Sequence, residues 1–154
     1  MKVSDLMTQA AVTDAADDTL AEAAAKMRAQ QTGSLLIMEG ASLAGIVTER
    51  DVLKVVGEGQ DPKSVSLRDV MTKDPVTVDP DSSIQEAAKI MFDKWFRHLP
   101  VTTGDGKVVG IISLRDLLTL VAEGMDAPEH IQTLTGHKLV RDKRLDRVEA
   151  GDLD

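Results

Sequence analysis

The stretch Gly45-Ile-Val-Thr-Glu-Arg-Asp-Val-Leu returns later in the same chain, almost unchanged, as Gly110-Ile-Ile-Ser-Leu-Arg-Asp-Leu-Leu. An internal repeat constrains the fold more than any single motif does, because each copy has to build the same unit. Leu6-Met7-Thr8 matches Val70-Met71-Thr72, and Thr19-Leu20-Ala21-Glu22 matches Ser83-Ile84-Gln85-Glu86, each 64 positions on, whereas Thr48 and Ser113 lie 65 apart. The added residue falls where the turn Glu39-Gly40-Ala41-Ser42 becomes Thr103-Gly104-Asp105-Gly106-Lys107, and a hairpin loop absorbs it at little cost. Two such units are too few for a long tandem array. They predict a pseudo-twofold pair packed on a shared core.

Within the first unit, Val3 to Met7 reads as a lead-in turn that brings Leu6 and Met7 against the core, followed by a short strand at Ala11-Val12-Thr13. Thr19 and Glu22 have capping-box spacing, so a helix starts there and runs to about Gln30, ended by Gly33. Leu20, Ala23, Ala24 and Met27 recur at three- and four-residue intervals and share one face, whose small alanines suit close approach to a sheet. Ser34 to Met38 reads as a fully buried strand and Leu43 to Val47 as its hairpin partner. Asp51 to Val56 forms a second helix closed by Gly57, and residues 58–66, carrying Gly59 and Pro62, form the linker. The second unit repeats this order. Leu67 to Thr72 is the lead-in, Val76-Thr77-Val78 a strand, Ser83 to Lys94 a capped helix, His98 to Thr102 and Val108 to Ile112 a hairpin, and Leu114 to Ala122 the last helix. Phe92, Trp95 and Phe96, the only aromatic residues of the chain, cluster at a helix end and read as a core plug. The fold class is α+β: units at 1–60 and 67–124, and a helical or partly disordered tail at 125–154.

In that tail Lys138, Arg141, Lys143, Arg144 and Arg147 make a locally basic stretch, diluted by Asp142 and Asp146. It suits a solvated helix or a docking tail for an acidic surface. A net charge of −8 over 154 residues argues against broad nucleic-acid binding, which depends on cations displacing counterions. Cysteine is absent, which removes disulfides, thiolate metal sites and thiol nucleophiles. No apolar run approaches a membrane span and the first residues lack a signal-peptide core, so a cytoplasmic protein is expected.

The repeated motif admits two readings. In the first, Thr48 and Ser113 cap helices, and Asp51 and Asp116 complement the helix dipole. In the second, an Asp held at a helix start accepts hydrogen bonds from the vicinal hydroxyls of a ribose, the free N–H groups suit a phosphate, and strands from both copies wall a slot for a flat base. Enzyme readings fare worse. His98, His130 and His137 are not at metal-ligand spacing, Gly104-Asp105-Gly106-Lys107 lacks the frame of a phosphate loop, and no G-x-S-x-G occurs. No catalytic residue, metal site or required cofactor is expected.

The paired Gly45…Thr48…Asp51 and Gly110…Ser113…Asp116, the two Met-Thr lead-ins, and Arg97-His98-Leu99-Pro100-Val101 together resemble a tandem pair of cystathionine-β-synthase (CBS) domains, a Bateman module, over residues 1–124. The resemblance implies two β-α-β-β-α units joined through their sheets, usually a disc-like homodimer, with AMP, ADP, ATP, NAD or S-adenosylmethionine bound in clefts between units. Carried over by position, Asp51 and Asp116 hold ribose, with Thr48 and Ser113 beside ribose or phosphate and Arg97 and His98 toward phosphate. The base lies against Val12 and Val76, Gly33-Ser34-Leu35 and His98-Leu99-Pro100. Copy one carries Thr32-Gly33 and Leu36 where copy two carries Phe96-Arg97 and Pro100, so the clefts are unequal. His98 also suits a purely structural, hydrogen-bonded role. The expected function is a stand-alone, non-catalytic regulatory module that changes dimer conformation with its ligand and signals to a partner protein. The rival is a ligand-free dimeric scaffold in which the Asp residues only cap.

Overall fold

In a computed structural model, which describes residues 1–9 and 11–124, the chain builds two equivalent α+β halves. The first contains β1 (Thr13–Ala15), α1 (Leu20–Gln30), β2 (Ser34–Glu39), β3 (Ser42–Thr48) and α2 (Glu49–Gly57). A short helix α3 (Leu67–Val70) and strand β4 (Thr72–Lys73) open the second copy, followed by α4 (Ile84–Lys94), β5 (His98–Thr102), β6 (Val108–Ser113) and α5 (Leu114–Ala122).

Local chemistry accounts for the helix starts. Thr19 N–H donates to Glu22 Oε2 at 2.8 Å and Glu22 N–H returns the bond to Thr19 Oγ1 at 3.2 Å. Ser83 and Glu86 repeat both distances. Such reciprocal bonds satisfy N–H groups that a helix leaves unpaired at its first turn. At the other end the expected glycine stop gives way to Gln31, whose φ of 53° places it in the left-handed region, and Trp95 at 61° does the same after α4. Gly33 does not end the helix. Its missing side chain leaves room for the Glu49 carboxylate, which a Cβ there would meet at 3.2 Å.

The strands form a sheet ordered β1-β2-β3-β4, with β1 parallel to β2 and the remaining pairs antiparallel. Its last strand belongs to the second copy. β5 and β6 pair antiparallel and are extended by isolated bridges at Val78 to Val101 on one side and Thr8 to Ile111 on the other. The lead-ins are therefore exchanged, each copy's first segment completing the other copy's sheet. Backbone bonds repeat the exchange: Val3 N–H reaches Ser82 O and Leu67 N–H reaches Asp18 O, both at 2.9 Å. Val3 is wholly buried among Val78, Ile84, Leu99 and Ile112 of the second half, and Leu67 among Leu20, Leu35 and Val47 of the first. Burying each of these side chains contributes roughly 1.5–3 kcal/mol, so each half's core is stabilised by a residue that the other copy supplies.

Three expectations shift. The first strand begins at Thr13, with Val12 contributing only its carbonyl, which accepts from Leu36 N–H at 3.0 Å. At the corresponding place in copy two only Val78 pairs, because Pro75 and Pro80 bracket the segment and have no N–H to offer a ladder. Phe92, Trp95 and Phe96 are half-buried rather than a sealed plug, with Phe96 resting on the edge of the second core. The tail at 125–154 lies outside the described residues. Among the described residues no helix is long and apolar enough to cross a membrane.

Candidate ligand cleft between the two halves

A cleft of about 1130 Å³ opens where the two halves meet. Its walls are mixed. Val12, Gly33 and Ser34 come from the first copy, and Arg97, His98, Ser113 and Asp116 from the second. The site is thus composite across the repeat, and Thr8 and Ile111, the bridge that joins the exchanged lead-in to β6, both lie in its wall.

Asp116 sits half-buried in the first turn of α5, held by its own cap. Its Oδ2 accepts from Ser113 N–H and from Ser113 Oγ, both at 2.7 Å, and Asp116 N–H donates back to Ser113 Oγ at 3.3 Å. Oδ1 accepts no hydrogen bond among the described residues. A carboxylate on a cleft-lining residue, with one oxygen anchored and the other without a protein partner among the described residues, is suited to accept from a hydroxyl-bearing ligand. Ser34 has only 2% of its surface exposed, and its hydroxyl has no hydrogen-bond partner among the described residues. A buried hydroxyl left so costs about 1–3 kcal/mol.

His98 opens β5 and is half-buried. Burial, reinforced by the Arg97 guanidinium and more weakly by Arg115, holds its imidazole below the usual histidine range, against the opposing pull of Glu49 and Asp116. At neutral pH the ring is uncharged. No hydrogen bond is made by its ring nitrogens among the described residues, so the structural role weighed for it lacks its anchoring partner.

The other expected contacts fall elsewhere. Leu35 and Leu99 have fully buried side chains in the cores of the first and second halves, and Pro100, which shares the strand face of His98, is fully buried two residues further on; none of the three lines this cleft. Alternation along a strand sends neighbours to opposite faces, which is why Ser34 and His98 line it while the residues after them do not. Val76 is exposed outside it. Thr48 and Asp51 form the equivalent cap at α2, with Thr48 N–H donating to Asp51 Oδ2 at 2.7 Å, but they too lie outside this cleft. The cleft also contains Ala24, Met27, Arg28, Glu49 and Arg115, none of which was expected as a ligand contact, Ala24 and Met27 having been read as the sheet-facing side of α1. Ala24, Met27, Arg28 and Gln31 follow helical spacing and could have been projected as one stripe. Arg115 stood inside the repeated motif and was passed over. Among the described residues no group of His, Asp and Glu could hold a metal ion.

The CBS domain family matches residues 3–58 and 67–123. An uncharacterized protein of Methanopyrus kandleri is 38% identical over 120 residues, which is 77% of this chain and 61% of that protein, so the chain spans less than two thirds of this relative. A CBS domain protein of Pyrobaculum aerophilum, solved in complex with AMP, superposes with a TM-score of 0.73 at 24% identity, covering 80% of this chain and 97% of that one. The CBS domain pair of protein MJ0100, solved with 5′-methylthioadenosine and S-adenosyl-L-methionine, gives a TM-score of 0.75 at 22% identity over 80% of this chain and 98% of that one. At these identities the structural likeness speaks for the fold, while the sequence match is independent of it. A duplicated β-α-β-β-α unit, exchanged lead-ins and a Ser-x-x-Asp cap facing the inter-unit cleft thus meet a family match over both copies, and the chain belongs to the CBS domain family as a tandem pair.

Proposed function

We propose that this chain is a non-catalytic regulatory module that binds an adenosine-containing ligand in the cleft between its two halves and transmits the bound state through a homodimer. The observation that carries this reading is Asp116, whose Oδ2 is fixed by Ser113 while Oδ1 remains available to the ribose hydroxyls. Val12 and Gly33 supply the wall for the base, and Ser34 gains a partner for its buried hydroxyl. Relatives of the same fold hold AMP in one case and S-adenosylmethionine in another, which supports the adenosyl class. NAD, ADP and ATP share the moiety.

Two copies have a natural meeting face. Leu53 and Val56 on α2 are 71% and 55% exposed, and Leu118 and Val121, their counterparts on α5, are 49% and 42% exposed. Paired apolar stripes on equivalent helices suit a self-complementary interface. Leu118 also lines the cleft, so a ligand there lies within reach of the partner copy. A ligand that fits one dimer arrangement better shifts the population toward it. A cytoplasmic setting and an unidentified protein partner complete the reading.

The test is calorimetry of Asp116→Asn with AMP, ADP, ATP, NAD and S-adenosylmethionine. Asparagine keeps an oxygen for Ser113 N–H and so preserves the cap, but it loses the charge that a ribose needs. Binding by the wild type and at least tenfold weaker binding by Asp116→Asn, at nearly unchanged stability, is the expected result; the tenfold figure corresponds to roughly 1.4 kcal/mol. A wild type that binds none of these ligands would leave the dimeric scaffold, with Asp51 and Asp116 acting only as caps.

A further inference from the structure

Three guanidinium groups, Arg28 from α1, Arg97 before β5 and Arg115 from α5, line the cleft, against the carboxylates of Glu49 and Asp116. None of the three makes an ion pair among the described residues. With Asp116 committed to ribose, the remaining charge favours an anionic ligand group and disfavours a sulfonium. His98 stands in the same wall as a half-buried imidazole whose nitrogens have no hydrogen-bond partner among the described residues.

We propose, resting on the reading above, that the cleft takes its adenosine ligand as a 5′-phosphate paired with the protonated imidazole of His98, so that binding takes up a proton and tightens as pH falls. The groups facing the ring make it responsive. Arg97 immediately precedes it at the entry to β5, Arg115 and Asp116 face it from α5, Glu49 faces it from α2, and β6 presents the uncharged Ser113 as its strand partner. No charged group of α4, which also packs on β5, acts on the ring.

In the free cleft burial and the two arginines keep the ring neutral at pH 7. A phosphate dianion offsets those cations and offers an acceptor, which raises the proton affinity of the imidazole. The bound state then holds more protons than the free state, so affinity rises as pH falls from the bound-state pKa toward the free one. The slope is at most about tenfold per pH unit for one linked proton. An adenosine phosphate would therefore be read together with cytosolic acidity, whereas an adenosyl ligand without phosphate would be read without it.

Calorimetry with AMP in buffers of different ionisation enthalpy, between about pH 7 and 8 where the phosphate is mostly dianionic, counts the protons taken up. The expected result is uptake of a fraction of one proton by the wild type with AMP, none with 5′-methylthioadenosine, and none with AMP in His98→Gln. Proton resonance titration of the wild-type histidine rings with and without AMP provides a second readout that needs no variant, with His98 shifting to higher pKa in the complex. Equal proton uptake by His98→Gln and wild type, or an unmoved His98 titration, overturns the proposal. Binding of 5′-methylthioadenosine as tightly as AMP does so too, while leaving the adenosine-sensing reading intact. Failure of every adenosyl ligand to bind overturns both.

Discussion

Replacing Gly110 by alanine tests whether the exchanged lead-in holds the two halves together. A Cβ at this position would lie 2.7 Å from the carbonyl oxygen of Thr8 and 2.9 Å from Met7 Sδ. The methionine can swing aside. The carbonyl cannot, because it accepts from Ile111 N–H at 3.0 Å while Thr8 N–H donates to Ile111 O at 2.8 Å. The chain must either strain, at about 1–3 kcal/mol for overpacking, or release the bridge and lose two hydrogen bonds of about 1 kcal/mol each. Either route predicts a loss of about 2–3 kcal/mol. Urea unfolding would show it as a midpoint lowered by roughly 1 M or more, taking an m-value near 2 kcal/mol/M. Gly45→Ala is the internal replicate, since its Cβ would meet Thr72 O at 2.8 Å and Met71 Sδ at 2.6 Å. Gly104→Ala is the control: nothing lies within 4 Å of its Cβ, and the change should stay within about 0.5 kcal/mol. If Gly110→Ala unfolds at the same urea concentration as Gly104→Ala, the close approach of the lead-in is not what these glycines serve.

Two further outcomes follow from the charges and the exposed faces. Lys26 Nζ donates to Asp14 Oδ1 at 2.9 Å and to Thr13 O at 3.0 Å, and the Asp14 side chain is only 8% exposed, its second oxygen without a partner among the described residues. Lys26→Met should cost about 1–3 kcal/mol by leaving a buried carboxylate without its cation, and adding Asp14→Asn should recover part of that in urea unfolding; a double variant no more stable than the single one would contradict this. If the proposed homodimer forms through α2 and α5, Leu53→Glu combined with Leu118→Glu should turn it into a monomer in sedimentation equilibrium with an unchanged far-ultraviolet spectrum, because both side chains are exposed in the single chain. A persistent dimer would place the interface elsewhere.

How much could be read in advance varied with the distance over which each feature is determined. The capped starts at Thr19, Ser83 and Ser113 were legible because a cap depends on residues three apart. The helix stop was misread, since Gln31 adopts a backbone conformation that Gly33 had been expected to supply. In the candidate site, Val12, Gly33, Ser34, Arg97, His98, Ser113 and Asp116 were named and share one cleft, whereas Leu35 and Leu99 sit on the opposite faces of their strands and Pro100 is buried further along β5. A one-residue step along a strand reverses the side chain, and a run of apolar residues carries no alternation from which to choose the face.

From the chain alone came the duplication, the order of elements in each unit, the cap chemistry, the resemblance to the CBS domain family and the pair Ser113 and Asp116. Those depend on local spacing and on the comparison of one copy with the other. What only the tertiary structure decided is which pieces belong together: Val3 in the core of the second half and Leu67 in that of the first, β4 on the edge of β3, and the entry of copy one facing the motif of copy two. Each half offers the same lead-in and the same open sheet edge, so local sequence permits pairing within a copy or between copies. The choice is made by which arrangement buries both cores together without straining Gly45 and Gly110, and that is a property of the whole chain.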